Sequence, residues 1–316
     1  NIITYDMGGT STDVALIIGN EPSVSSDLEV EYAMPVHVPM VDVRTVGAGG
    51  GSIAKLNLAS LLEVGPESAG SKPGPICYGN GGILPTISDA NLLLCRLNIS
   101  KIISEKKNVS LNEIKNIFNS ALGEGLGLDE VQTAQAVVKI ANTKMAGAIR
   151  MVSISLGVDP RDFTLFAFGG AGPLHASSLA KELGIPKVLV PARPGITNAL
   201  GCVIADLRQD FTKTLNIPVE KVNVIDLHTI FKKQKERGEE LIKKQGLELT
   251  EISSSFSLDM QFIGQTHILR INLDDSKPDL KYIQKSFEDA YLIRFKVELP
   301  QIKANIVNIN TTVQGH

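Results

Sequence analysis

Eight residues near the start of the chain carry most of its chemistry. Asp6-Met7-Gly8-Gly9-Thr10-Ser11-Thr12-Asp13 places two carboxylates, three hydroxyls and two glycines in one short run. The residues before Asp6 read as a buried strand, and Val-Ala-Leu-Ile-Ile after Asp13 reads as another, so the spacing predicts a hairpin whose tip is residues 8 to 12. A plain hairpin would need its glycines only for positive φ. It has no need for Asp6, Thr10, Thr12 and Asp13 to converge on one small volume. A nucleotide phosphate with Mg²⁺ needs that set: backbone N–H groups and hydroxyls for the phosphate oxygens, and a carboxylate for the metal's water shell.

Two other glycine-rich places could do chemistry. Gly47 to Ser52, in "GAGGGS", fits either an anion nest at a helix N-terminus or a crowded strand-to-helix crossover, and the sequence leaves both open. "FAFGGAGPLHA" follows a strand and opens a helix, as a dinucleotide fingerprint does. It lacks the full G-x-G-x-x-G spacing, and Pro191-Ala192-Arg193 stand where an acidic residue should end the next strand, so a nicotinamide reading is weak. His175 lies one turn inside that helix and reads first as a hydrogen-bonded core histidine, then as a catalytic one.

These loops need elements to hold them. Strand-like and helical runs alternate, which favours an α/β class. A helix is expected from near Ser52, another behind Ser88 as N-cap, and a third behind the Ser110-x-x-Glu113 capping box. The longest periodic segment, Asp129 to Leu156, predicts a central helix packed on the sheet and ending at Gly157. Past about Thr212 the texture changes. Lys221 to Lys244 reads as a charge-rich solvated helix, "SSSFSLDMQFIGQTHILRINL" as two strands turning at Gly264, residues 278 to 296 as a helix, and 304 to 313 as a last strand. This predicts a separate α+β domain of about a hundred residues.

Composition narrows the classes. With 316 residues, 43% hydrophobic and 21% charged, the chain can bury one large core or two modest ones. A net charge of −3 gives no basic footprint for nucleic acid. Three widely spaced cysteines, without a C-x-x-C pair, suggest neither a disulfide framework nor a zinc knuckle and fit a cytoplasmic protein. There is no apolar run of about 18 residues for a membrane span and no leader pattern. The chain opens inside a strand without an initiator methionine, and is expected to be a fragment.

In order along the chain, "DMGGTSTDVALI", "VRTVGAGGGSIA", "ESAGSKPGPICYGNGG", "PTISDANLLL", "DPRDFTLFAFGGAGPLHA", "ARPGITNALGCVIADLRQDF" and "MQFIGQ" resemble the hydantoinase A and 5-oxoprolinase family over nearly the whole length. The resemblance implies an α/β fold of the actin-like ATPase (ribonuclease H-like) type, in which ATP lies between two related halves. This chain corresponds to the second half over residues 1–212, followed by an incomplete α+β domain over 213–316. It also implies ATP and Mg²⁺ as cofactors. Asp6 would be the metal-organising catalytic carboxylate, and Gly8, Gly9, Thr10, Ser11 and Thr12 the loop around the β- and γ-phosphates. Asp13 would be a second catalytic polar contact or a hairpin brace. Gly169, Gly170 and Gly172 would form the adenosine loop. Asp89 and Asp206 fall in family motifs as well, though helix capping accounts for Asp89. Cys95 stands where many relatives have glycine, and Arg44 where many have histidine.

The activity implied is ATP-dependent opening of a cyclic amide or imide by phosphorylation of its carbonyl oxygen. The partners implied are a hydantoinase B-type subunit or fused domain and the N-terminal half of the ATPase. Two alternatives stand beside it: an ATP-dependent carboxylase of the acetone carboxylase type, and a non-catalytic nucleotide-binding subunit. No G-x-S-x-G, H-E-x-x-H or Cys/His constellation offers a competing hydrolytic mechanism.

Overall fold

The computed structural model describes residues 1–30, 34–98, 100, 102, 109–274, 278–299 and 302–316. The chain divides into two compact units, residues 1–203 and 204–316, each with its own hydrophobic core.

The first unit starts with β1 (Ile2–Met7), β2 (Thr12–Ile18) and β3 (Glu21–Pro22). It continues through the hairpin β4 (Val24–Val30) and β5 (Met34–Val41) to β6 (Arg44–Val46), then through the hairpin β7 (Ser52–Leu56) and β8 (Leu62–Ser68). Helices α1 (Ile87–Leu93), α2 (Leu111–Phe118), the single turn α3 (Glu124–Leu126) and α4 (Glu130–Leu156) follow. The unit ends with β9 (Thr164–Phe168), α5 (Gly172–Leu183), β10 (Lys187–Leu189) and α6 (Thr197–Ile204). The main sheet runs β10-β9-β1-β2-β3, with β6 also pairing β2. β1 is antiparallel to β2 and parallel to β9. It therefore sits centrally and delivers its end to the same edge as the end of β9.

The period of two in β1 decides which side chains do what. Ile3, Tyr5 and Met7 are fully buried on one face, which leaves Thr4 and Asp6 on the other. Each large apolar side chain removed from water in this way contributes about 1.5–3 kcal/mol. Helix α4 covers the buried face. Its 27 residues span roughly 40 Å, and its Met145 sulfur accepts a hydrogen bond from the Tyr5 hydroxyl at 3.1 Å and lies 3.3 Å from the Thr12 hydroxyl oxygen. An Asp129–Gln132 capping box starts α4 and Gly157, at φ +67°, ends it. Ser110 caps α2 by accepting the Glu113 N–H.

Two local expectations fail. The segment from Ser52 is a strand, because Ser52–Leu56 finds a ladder partner in Leu62–Ser68 and tertiary pairing overrides the helical reading. The N-cap of α1 is Thr86, which forms a capping box with Asp89, while Ser88 lies inside the helix.

The second unit comprises β11 (Leu207–Pro218), α7 (Val224–Lys243), β12 (Ile252–Phe262), β13 (Leu269–Leu273), α8 (Leu280–Phe295) and β14 (Ala304–Gly315). Its antiparallel sheet runs β11-β14-β12-β13. Phe262, Phe287 and Tyr291 stack edge-on at its centre, with ring centroids 4.8–4.9 Å apart for the two pairs that include Phe262. Strand β11 passes through residue 212 without interruption, so the change of texture there lies within a strand.

Candidate functional site

The register Met7↔Thr12 and Asp6↔Asp13 leaves residues 8 to 11 as the tip of the first hairpin. A bond from the Gly8 N–H to the Ser11 carbonyl, 3.0 Å, closes it. Neither Gly8 nor Gly9 has positive φ, so the turn itself does not require glycine. What the glycines provide is room: a Cβ at Gly9 would meet nothing within 4 Å, and one at Gly8 only the Ser11 carbonyl at 4.0 Å. Among the described residues no acceptor serves the N–H groups of Gly9, Thr10 and Ser11. Consecutive main-chain donors without partners are the kind of feature from which anion-binding nests are built. Thr12, expected beside them, turns the other way. It is fully buried and its hydroxyl donates to the Ala48 carbonyl at 2.5 Å, because strand alternation points it to the core face with Met7.

That bond anchors the Gly47–Ser52 loop, whose two readings the structure separates. The Gly50 and Gly51 N–H groups bind the Gly8 and Gly9 carbonyls at 2.9 and 2.6 Å. The Gly49 N–H binds the Ser52 hydroxyl at 2.8 Å, and the Ala48 and Ser52 N–H groups bind the Val46 and Gly49 carbonyls. With these donors occupied, the loop is a buttress behind the tip. A Cβ on Gly49 would come within 2.5 Å of the Thr10 backbone, so only glycine allows this contact.

Asp6 and Asp13 are directly opposite across β1 and β2, hence on one face. Asp6 Oδ2 accepts from Asn198 Nδ2 at 2.6 Å, and Asp13 Oδ1 accepts from the Thr45 hydroxyl at 2.5 Å. Among the described residues neither carboxylate has a basic partner. The Thr45 bond makes Asp13 a brace between β2 and β6. Gly169 packs against Asp6: at φ +80° its missing Cβ would collide with Asp6 Oδ1 and the Met7 carbonyl. The Ala171 N–H then binds that same carbonyl at 2.9 Å, fixing the Gly169–Gly172 loop to the end of β1. Gly170 differs from Gly169, since a Cβ there would meet nothing within 4 Å.

Gly8 and Gly9 share one cavity, of about 480 Å³, with Gly170, Ala171, Leu174, Tyr78 and Ser88. Its size lies within the usual range for a small-molecule site. Gly50 of the second stretch lines the cavity as well, so the structure brings residues of all three glycine stretches to a single space. Asp89 stands behind one wall. It is buried, and its carboxylate accepts from the Ile76, Cys77 and Thr86 N–H groups and the Thr86 hydroxyl. Burial raises its pKa against the pull of these donors. It clamps the Ile76–Tyr78 turn to α1.

His175 is fully buried. Its Nδ1 lies 2.7 Å from Asn142 Oδ1 and its Nε2 lies 3.1 Å from Asn91 Nδ2. One assignment satisfies both: a neutral ring with the proton on Nδ1. Burial first, and the Arg96 charge second, lower its pKa to about 4. It ties three helices together as a core residue. Asp206 takes no part in the cavity; it pairs with His316 in the second unit. Sequence reasoning missed Asn198 as a partner of Asp6, although it lies in a quoted family stretch.

A metal ion is implied by the sequence, and the residues present fit one mode of holding it. Among the described residues no group of three or more His, Cys, Asp or Glu could cage an ion. Mg²⁺ on a nucleotide does not ask for a cage, since it takes one or two carboxylates, phosphate oxygens and waters. Asp6, with Asp13 opposite, would supply the carboxylate part.

The central mixed sheet, the glycine tip closing its first hairpin and the glycine turn opening α5 define half of an actin-like ATPase fold. The chain belongs to the hydantoinase/oxoprolinase family, whose model matches residues 1–211. It is 35% identical to the caprolactamase subunit alpha of Pseudomonas jessenii, over 99% of this chain and 46% of that one. The crystal structure of that ATP-dependent caprolactamase superposes with a TM-score of 0.83 at 34% identity, over 99% of this chain and 46% of that chain. A 5-oxoprolinase of Dictyostelium discoideum is 34% identical over 87% of this chain and 22% of its own length. A nucleotide-free acetone carboxylase matches with a TM-score of 0.77 at 25% identity, over 100% of this chain and 46% of that one. The chain thus spans about half the length, or less, of the relatives it matches. Among the described residues no helix is long and apolar enough to cross a membrane.

Proposed function

We propose that this chain is the part of an ATP-dependent cyclic amide hydrolase that holds the phosphates and adenosine of ATP. The observation that carries the reading is the tip: three main-chain N–H groups with no acceptor among the described residues, beside a cavity shared with the Gly170–Ala171 turn. The β- and γ-phosphates rest on the N–H groups of Gly9, Thr10 and Ser11, with the Thr10 and Ser11 hydroxyls at the rim. The nucleoside lies along Gly170, Ala171 and Leu174, where the missing Cβ of Gly170 leaves room for it. Asp6, with Asp13 opposite, would hold Mg²⁺, whose charge would offset that of the phosphates during transfer.

Phosphoryl transfer to the carbonyl oxygen of a lactam or imide makes the ring carbon electrophilic. One water adds to that carbon, the C–N bond breaks with a proton passing to the nitrogen, and an acyl phosphate remains; a second water cleaves it, so that the products are a ring-opened amino acid, ADP and phosphate. The chain's part in this is charge placement and alignment, for which no nucleophilic side chain is needed. The activity calls for the remainder of the ATPase domain and a hydantoinase B-type subunit or domain. The three free thiols fit a cytoplasmic setting.

Likeness to acetone carboxylase supports a second reading, in which the same phosphate chemistry serves carboxylation. The deciding experiment incubates the full-length protein and its partner subunit with ATP and a lactam panel, or with a ketone and bicarbonate, and identifies the product. Ring-opened amino acid with stoichiometric ADP is expected. A carboxylated ketone would replace the first reading by the second, and absence of nucleotide binding would end both.

A further inference from the structure

Asp6 is not free to choose its own orientation. The residue that holds it, Asn198, is 192 positions away in sequence and reaches it through a chain of main-chain contacts. The Pro194 carbonyl accepts the Gly169 N–H at 2.9 Å, and the Thr197 hydroxyl bonds back to the Arg193 and Pro194 carbonyls at 3.2 and 3.3 Å. The turn that launches α6 is thereby strapped to the same glycine that packs against Asp6. From this turn Asn198 Nδ2 donates to Asp6 Oδ2 at 2.6 Å, the short distance of a charge-assisted bond.

The chemistry of the partner matters. A lysine or arginine in this place would orient Asp6 but also neutralise it, in competition with any cation. An amide orients the carboxylate and leaves its charge intact. Asp13 is held in the same manner by a neutral donor, the Thr45 hydroxyl.

We infer that Asn198 is a positioning residue for Asp6: its amide fixes Oδ2 so that the carboxylate meets the divalent cation of a bound nucleotide already oriented. This rests on the nucleotide reading above. Asn198 touches neither phosphate nor substrate in this scheme and acts only through Asp6.

The test uses the full-length protein and Mn²⁺ as probe, titrated in the presence of ADP and followed by the electron paramagnetic resonance of free Mn²⁺. ADP affinity without metal is measured in parallel. Asn198→Ala should weaken Mn²⁺ binding about tenfold or more, the usual cost of losing an outer-shell orienter. Metal-free ADP affinity and melting temperature should stay at wild-type values, because the side chain is exposed. In an Asp6→Ala background the Asn198→Ala change should have no further effect. Wild-type Mn²⁺ affinity in Asn198→Ala, or an undiminished loss when Asp6 is already absent, would overturn the assignment while leaving the nucleotide reading in place. A wild-type protein that binds neither ADP nor Mn²⁺ would remove both.

Discussion

Asp6 and Asp13 oppose each other on one face of the hairpin with a neutral donor on each and no cation from the described chain. Like charges directly opposite in a ladder are destabilising, and a bound divalent cation would turn that cost into affinity. Asp6→Asn preserves the shape and can still accept from Asn198. It should lower ATP-dependent turnover of the complete enzyme about a hundredfold or more, with the melting temperature not lowered, since it relieves the repulsion with Asp13. Gly169 and Gly170 offer a sharper contrast. Gly169→Ala forces a side chain into a left-handed position against Asp6 and the Met7 carbonyl, so it should destabilise the fold. Gly170→Val meets no protein atom within 4 Å of its Cβ. It should leave the melting temperature alone and weaken ATP binding at least tenfold, about 1.4 kcal/mol. If Gly170→Val binds ATP normally, the adenosine side of the site is misplaced.

Among the elements, α1 ends in a way that explains one residue. The Arg96 N–H bonds the Asn91 carbonyl and the Cys95 N–H bonds the Leu92 carbonyl, the pattern of a Schellman cap with Cys95 in the left-handed position at φ +57°. Glycine avoids the roughly 1–2 kcal/mol that an L side chain loses there, so glycine is the residue this backbone position favours. Cys95→Gly should raise the melting temperature, with a gain on the order of 1 kcal/mol reduced by glycine's freedom in the unfolded chain. Thermal denaturation of the two proteins decides it. Much of this organisation was legible in the residues: alternation in β1, the Ser110 cap, the 27-residue period of α4 and its stop at Gly157 all follow from local rules. Apart from the α1 cap, where Thr86 and not Ser88 takes the N-terminal position, the misreadings share one cause. Ser52–Leu56 became a strand because of a partner ten residues on, Thr12 left the phosphate group because of which face Met7 occupies, and Asn198 meets Asp6 across nearly two hundred residues. None of these pairings leaves a local trace.

For the molecule as a whole, His175 builds an acid limit into the first unit. The folded state holds the ring neutral with a pKa of about 4, whereas the unfolded chain titrates near 6.5. The unfolded state therefore binds the extra proton between those values. The contribution of His175 is complete above about pH 6.5 and declines as pH falls toward 4, by on the order of 3 kcal/mol in all. Urea midpoints at pH 7.5 and 4.5 should differ more for wild type than for His175→Gln; equal differences would show that the ring is not the source. The three donors proposed for phosphate are peptide N–H groups, and every amino acid but proline carries one. An alanine scan through Thr10 and Ser11 would remove hydroxyls and report modest losses, passing over the feature that binds. Proline at position 9, 10 or 11 deletes the donor itself and should abolish nucleotide binding. Random drift at these positions is consequently filtered by backbone shape, and the site can tolerate side-chain variety that a search for invariant polar residues would take for absence of function.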